Sequence, residues 1–142
     1  ARQDDSYITI LPYDGFKISY TLDYQHPVIG SSYFEFDADK IDFAEEIAKA
    51  RTFGFAKEVA KLHEQGLALG GSLENAVLIE ENKTVNPLRF ENEFVRHKIL
   101  DVIGDMFLNG RIMGHIIAVK SGHRLHVKLA EKIREKMLEE EN

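Results

Sequence analysis

The 142-residue sequence contains no cysteine. Disulfides and thiolate metal sites are therefore excluded, and the absence is compatible with a reducing cytosol. Cations are in the minority. Lys and Arg number 18 against 24 Asp and Glu, a formal charge of −6, which argues against a general nucleic-acid binder with its basic face. No apolar run approaches the roughly 20 residues of a transmembrane helix. No secretory leader, internal repeat or low-complexity linker is visible. What remains is a globular mixture, 44% hydrophobic, of a length that suits one compact domain with a core. The chain opens at Ala1 rather than Met, directly before a strand-like run, so a piece or processed product of a longer protein is expected.

In order, Ser6 to Tyr13 is rich in β-branched and aromatic residues and reads as a strand. Asp14-Gly15 signals a hairpin turn. From Phe16 to Tyr24, the residues Phe16, Ile18, Tyr20, Leu22 and Tyr24 alternate onto one face, the clearest half-buried strand in the chain. After a loop containing Pro27, Tyr33 to Asp37 is a third strand, and Asp39 can cap a helix over Ile41 to Ala50. Arg51 to Phe55 is short and extended. Ala56 to Gln65 forms an amphipathic helix with Val59 and Leu62 inward, ended by Gly66. Ala76 to Glu80 is a strand with which Thr84 to Asn86 can pair. A long helix from Phe94 stops at Asn109-Gly110. Arg111 to Val119 is the last strand, and Ser121-Gly122 starts a helix with Leu125, Leu129, Ile133 and Met137 at i+4 spacing. The expected class is α+β, a two-layer sandwich: a mostly antiparallel sheet of about five strands, two long helices on one face, and a small β-α-β insert over about 53–85.

The helix from Phe94 is the informative one. At 100° per residue, Val95, Ile99, Leu100, Val102, Ile103, Met106 and Phe107 share one broad arc, which is a core face. His97, Asp101 and Asp105 share another strip, one turn apart and so about 6 Å from one to the next. An imidazole and a carboxylate at that spacing can reach one metal ion, and zinc accepts both. The same spacing also suits a plain surface hydrogen bond. Two ligands do not complete a catalytic zinc site, which takes three.

Several segments then coincide in order and spacing: Ala50-Arg51-Thr52-Phe53-Gly54-Phe55, Leu69-Gly70-Gly71-Ser72, the run from Leu88 to Lys98, Asp101 with Gly104-Asp105, and Lys120-Ser121-Gly122-His123. Together they resemble the second domain of UDP-3-O-acyl-N-acetylglucosamine deacetylases, zinc enzymes of lipid A synthesis in the bacterial cytoplasm. The resemblance covers nearly the whole chain, 1–142. It implies a missing first domain that brings the third zinc ligand and a catalytic Glu, with the active site between the two domains. It further implies that His97 and Asp101 are zinc ligands and that Thr52 stabilises the oxyanion. His123 would be the catalytic histidine, paired with Asp105, and Lys98 and Lys120 would lie near the sugar and diphosphate. Asp23 and Tyr24 would contact uridine, Tyr24 by stacking, Phe53 would lie beside the acyl and sugar groups, and Glu58 near the nucleotide sugar. His26, His63, His115 and His126 read as structural or exposed. By themselves Thr52 fits a strand end, Phe53 and Tyr24 fit packing, and the lysines fit an ordinary surface. Two functions stay open: half of a zinc amidohydrolase acting on UDP-3-O-acyl-N-acetylglucosamine, or a non-catalytic module of the same fold that binds a nucleotide sugar or a partner domain.

Overall fold

The structure, a computed structural model, describes residues 1–142. Seven strands and four α-helices follow in order: β1 (Arg2–Gln3), β2 (Ser6–Leu11), β3 (Phe16–Asp23), β4 (Ser31–Asp37), α1 (Phe43–Glu46), β5 (Thr52–Phe55), α2 (Ala56–Glu64), β6 (Ala76–Ile79), α3 (Glu93–Met106), β7 (Gly114–Val119) and α4 (His123–Glu140). Five strands form one sheet in the order β1-β2-β7-β3-β4, and β5 with β6 forms a separate parallel pair. Three of the main sheet's four pairings are antiparallel; β3 with β7 is parallel. The α+β two-layer arrangement is as expected, with α3 and α4 laid against the sheet.

Period-2 patterning decides which face of the sheet is covered. Ile8, Ile18, Tyr20, Leu22, Phe36, Ile116 and Ala118 are buried. They meet Val95, Ile99, Val102 and Met106 of α3 and Leu125 and Leu129 of α4, at the 3–4 residue spacing of a helical core face. Leu100 is only half-buried and Phe107 is exposed, so the apolar arc of α3 is narrower than the sequence implies.

Three local expectations are corrected. Asp14-Gly15 does turn the chain, but β2 and β3 are not a hairpin: β7 slots between them, and the Gly114 amide donates to the Gly15 carbonyl at 2.8 Å, just under the turn. Turn chemistry specifies a reversal and not the partner, and a third strand that buries Ile116 and Ala118 on the helix face takes the place between. Its first residue must be glycine. Gly114 has φ +154°, and a Cβ there would lie 2.7 Å from Ile10. The helix expected over Ile41–Ala50 is a single turn, α1, capped by Asp42 rather than Asp39, with Asp42 Oδ1 accepting from the Glu45 amide at 2.9 Å. Finally, α2 buries none of its residues, and Leu62 faces solvent.

Candidate active site and metal centre

The site begins with a buried ion pair that the sequence reading did not single out. Glu93, the first residue of α3, is 0% exposed. It accepts hydrogen bonds from the amide of Arg51 (2.8 Å), from Arg51 Nε (2.9 Å) and Nη2 (3.1 Å), and from the amide of Arg89 (2.7 Å). The start of α3 is thereby fastened to the residues just ahead of β5. That connection brings the Ala50 carbonyl onto His97, whose Nδ1 donates to it at 3.0 Å. The bond turns the other ring nitrogen, Nε2, toward Asp101 Oδ1 at 3.2 Å. A backbone carbonyl holding Nδ1–H is the usual support of a histidine that ligates metal through Nε2.

Electrostatics favour ionisation of both groups. Burial pulls the His97 imidazole down, but the hydrogen bond and charge of Asp101, aided by the Ala50 carbonyl, outweigh it and the net shift is upward from 6.5. Burial pushes Asp101 up, and the bond to His97, with the nearby cations, outweighs it to hold the carboxyl below its ordinary 3.8. Lys98 Nζ lies 3.8 Å from Asp101 Oδ2.

α4 supplies the rest of the strip. His123, its first residue, has a side chain 68% exposed, with Nδ1 2.7 Å from Asp105 Oδ2 and Nε2 3.9 Å from Asp101 Oδ1. His97, Lys98, Asp101, Asp105 and His123 thus form one continuous strip. The same Asp105 oxygen also meets Nδ1 of the fully buried His126 at 2.9 Å. Asp105, His123 and His126 bring their ligand-type atoms within 4.8 Å of one another, a spacing open to a metal ion. His126 was set aside at the sequence level. Its only signal is its place three residues after His123, beside the core positions Leu125 and Leu129.

A second group lies at the end of the sheet where β3 and β7 finish. Tyr24, 44% exposed, stands edge-on to Phe53 (ring centroids 5.9 Å apart) and 5.9 Å from Phe55; Phe53 in turn packs on Phe94 at 5.0 Å. Phe55 packs at a tilt on His26, ring centroids 5.1 Å apart, and from these two a groove of about 670 Å³ continues past Lys57 and Glu80 to Lys83. Asp23 accepts from Ser31 Oγ at 2.6 Å and lies 3.9 Å from Lys120 Nζ. Lys120 also pairs with Asp5, and its backbone is in the left-handed region, φ +51°, as it is at Asp4 and Ala68. Thr52 is exposed, and its hydroxyl has no hydrogen bond within the protein. Glu58 is exposed in the first turn of α2 and joins neither group.

With this geometry in view, the comparisons are direct. The family model for UDP-3-O-acyl N-acetylglycosamine deacetylase matches residues 1–135. The chain belongs to that family. A UDP-3-O-acyl-N-acetylglucosamine deacetylase of Myxococcus xanthus is 52% identical over 132 residues, covering 91% of this chain and 42% of the relative. Proteins of the same name from Campylobacter fetus and Pseudoalteromonas translucida are 50% and 46% identical, covering 90% and 93% of this chain and 45% of each relative. The chain therefore spans a little under half the length of the curated deacetylases it matches. No helix is long and apolar enough to cross a membrane.

Within this deacetylase-family chain, two imidazoles should titrate on opposite sides of 6.5. His97 is raised for the reasons above. His126 is lowered because burial penalises its cation, with Asp105 only partly opposing. A raised histidine contributes stability that is complete below its unfolded value and fades as pH rises through its folded value. A lowered one gives the opposite slope: stability falls as pH drops from 6.5 through the folded value, because the unfolded chain takes up a proton that the buried ring refuses. An NMR titration of the ring protons checks both. His97 titrating below His126 would mean that the Asp101 pair does not form in solution.

Proposed function

We propose that residues 1–142 are the second domain of a two-domain zinc deacetylase, with its insert at 53–85. The chain supplies half of an active site that hydrolyses the N-acetyl group of UDP-3-O-acyl-N-acetylglucosamine during lipid A synthesis in the cytoplasm. The observation that carries this reading is the strip His97, Asp101, His123 and Asp105, in which the Ala50 carbonyl, two residues before Thr52, holds His97. A surface that gathers two imidazoles and two carboxylates suits amide hydrolysis.

The donor set fits zinc. Nε2 of His97 and a carboxylate oxygen of Asp101 would hold it, since both are borderline or hard donors that zinc accepts, and the Ala50 carbonyl already orients the ring. The third ligand and the general base belong to the first domain, which is the partner this reading requires. Bound zinc lowers the pKa of its water and polarises the amide carbonyl.

The chain's own groups do the remaining work. The Thr52 hydroxyl donates toward the oxygen that becomes negative as water adds to the carbonyl carbon. Asp105 holds His123 by Nδ1, so that Nε2 can deliver a proton to the amine nitrogen as the C–N bond breaks. Lys98 offsets the negative charge at Asp101 and lies toward the sugar and diphosphate. Tyr24 offers its ring face to the uracil, Asp23 accepts from the uridine, and Lys120 exchanges Asp5 for the diphosphate. Phe53 borders the acyl and sugar groups, and Glu58 reaches toward the nucleotide sugar. Leu67, Leu69 and Leu73 of the insert are all more than half exposed, and a fatty acyl chain would cover such a patch.

Two ligands on one chain imply weak zinc binding. Calorimetry on this chain should give an affinity far below that of a closed three-ligand site, lost in His97→Ala. Near pH 6.5 binding of the ion should release protons, because a His97 raised above 6.5 must give up its Nε2 proton. Sub-nanomolar affinity would mean that the chain carries a third ligand of its own. The function itself is tested by acetate release from UDP-3-O-acyl-N-acetylglucosamine once this chain is joined to the other half of a relative. No acetate from a folded, zinc-loaded pair would favour a non-catalytic module.

A further inference from the structure

His126 has no part in the reaction just described, yet it is 0% exposed with both ring nitrogens engaged: Nε2 lies 2.7 Å from Ser121 Oγ and Nδ1 2.9 Å from Asp105 Oδ2. We infer that His126 is a positioning residue, which fixes the orientation and the tautomer of His123 by acting through Asp105. Its effect on turnover rests on the deacetylase reading; the tautomer it imposes does not.

The argument is one of donors and acceptors. A carboxylate oxygen only accepts, so both imidazoles that meet Asp105 Oδ2 carry their hydrogen on Nδ1. Two N–H donors on one oxygen satisfy the cluster by hydrogen bonds alone. In neutral His126 the remaining nitrogen, Nε2, is then an acceptor, and the Ser121 hydroxyl rotates to donate to it. Ser121 is itself 2% exposed, and its carbonyl accepts from the hydroxyl of Tyr20 at the centre of the sheet. A chain of bonds therefore runs from the core outward: Tyr20, Ser121, His126, Asp105, His123. No buried side-chain polar atom of the protein lacks a partner, which is the condition for such a network to rigidify rather than destabilise.

The two ends differ in what holds them. His126 is locked by burial and two bonds. His123 is mostly exposed, and Asp105 is the only hydrogen-bond partner of its ring. Whatever fixes the Asp105 rotamer therefore fixes His123. The bond from His126 is the one other hydrogen bond that the Asp105 carboxylate receives from a side chain. With Nδ1 committed to Asp105, His123 presents Nε2 to the side of Asp101, where the leaving amine must take its proton.

The test is long-range ¹H–¹⁵N NMR of the imidazoles in this chain, at a pH where both rings are neutral. The wild type should have both His123 and His126 as Nδ1–H tautomers. His126→Leu removes the donor with little change in volume, and His123 should revert to the Nε2–H form that a free imidazole favours in water. His126→Asn returns an N–H to the same oxygen and should restore Nδ1–H at His123. In the longer protein His126→Leu should lower kcat by about 10–100-fold, the usual range for a supporting contact, with KM unchanged, and His126→Asn should recover most of the loss. A wild-type spectrum with His126 as Nε2–H overturns the proposal without any variant. So does a folded His126→Leu whose His123 keeps its tautomer. If His126→Leu does not fold, His126→Met, which likewise removes the donor to Asp105, takes its place with the same expectation, and a His123 tautomer unchanged there refutes the relay. Absence of deacetylation in the longer wild-type protein, alongside the expected spectra, defeats the deacetylase reading and leaves the relay standing.

Discussion

In a protein that joins this chain to the first domain of a relative and deacetylates as proposed, His123→Ala should lower kcat by about 10²–10⁴, the range for one acid–base group. KM should move little, because the ring is placed for the departing amine and not for the nucleotide. Its Nε2 is free of strong partners, 3.9 Å from the nearest Asp101 oxygen, while Nδ1 is committed to Asp105 at 2.7 Å. Tyr24→Ala should give the opposite split. Its exposed ring packs edge-on to Phe53 and tilted against Phe55, and loss of a stacked base typically weakens binding by about 1–3 kcal/mol, which is read in KM. The isolated 142-residue chain should release no acetate, since it offers two zinc ligands and no base beside them. Steady-state kinetics on the joined protein separate the two variants. Equal rates from the isolated chain and the joined protein would refute the half-site reading.

The helical strip was legible because one periodicity carried both packing and chemistry. The residues that bury α3 define where its other face points, so His97, Asp101 and Asp105 follow from Val95, Ile99 and Val102. The meeting of that strip with His123 was not legible from spacing. It depends on α4 lying beside α3, a tertiary fact that entered at the sequence level only through resemblance to a family. The same limit explains the false hairpin. Asp14-Gly15 announces a reversal, but the strand that fills the gap, β7, comes about a hundred residues later in the sequence.

His126, Ser121 and Glu93 escaped for a different reason. Each is a polar residue at a buried position, where pattern reading expects an apolar one, and each is explained only by a partner distant in sequence or across a turn. Buried polar groups are tolerated when their hydrogen bonds are made. These three departures from pattern lie beside the candidate site, whereas Ser19 and Asp37 are buried polar residues bonded elsewhere, to Glu35 and Tyr13.

Glu93→Ala should be the most destabilising single change near the site. Removing one member of a buried ion pair leaves an uncompensated charge and typically costs about 3–5 kcal/mol, a large share of the roughly 5–15 kcal/mol that holds a domain folded. Arg51, 8% exposed, would remain behind with donors that water cannot reach easily, and the amide of Arg89 would lose its acceptor. A fall in melting temperature of about 10–15 °C is expected for a chain of this size. The double variant Arg51→Met with Glu93→Leu should recover only part of it. Arg51 also donates to the carbonyls of Leu73 and Pro87, and these stay unpaired when it is gone. The exposed pair Lys57–Glu81 is the control: Glu81→Gln should leave the melt unchanged. The consequence for the site follows from the chain path. Arg51 lies between Ala50, whose carbonyl orients His97, and Thr52. Below the lowered melting temperature, Glu93→Gln should therefore also weaken zinc binding by about tenfold through the loosened ring support. A melt and a zinc affinity both equal to wild type in Glu93→Gln would mean that the pair neither stabilises the fold nor supports the metal site.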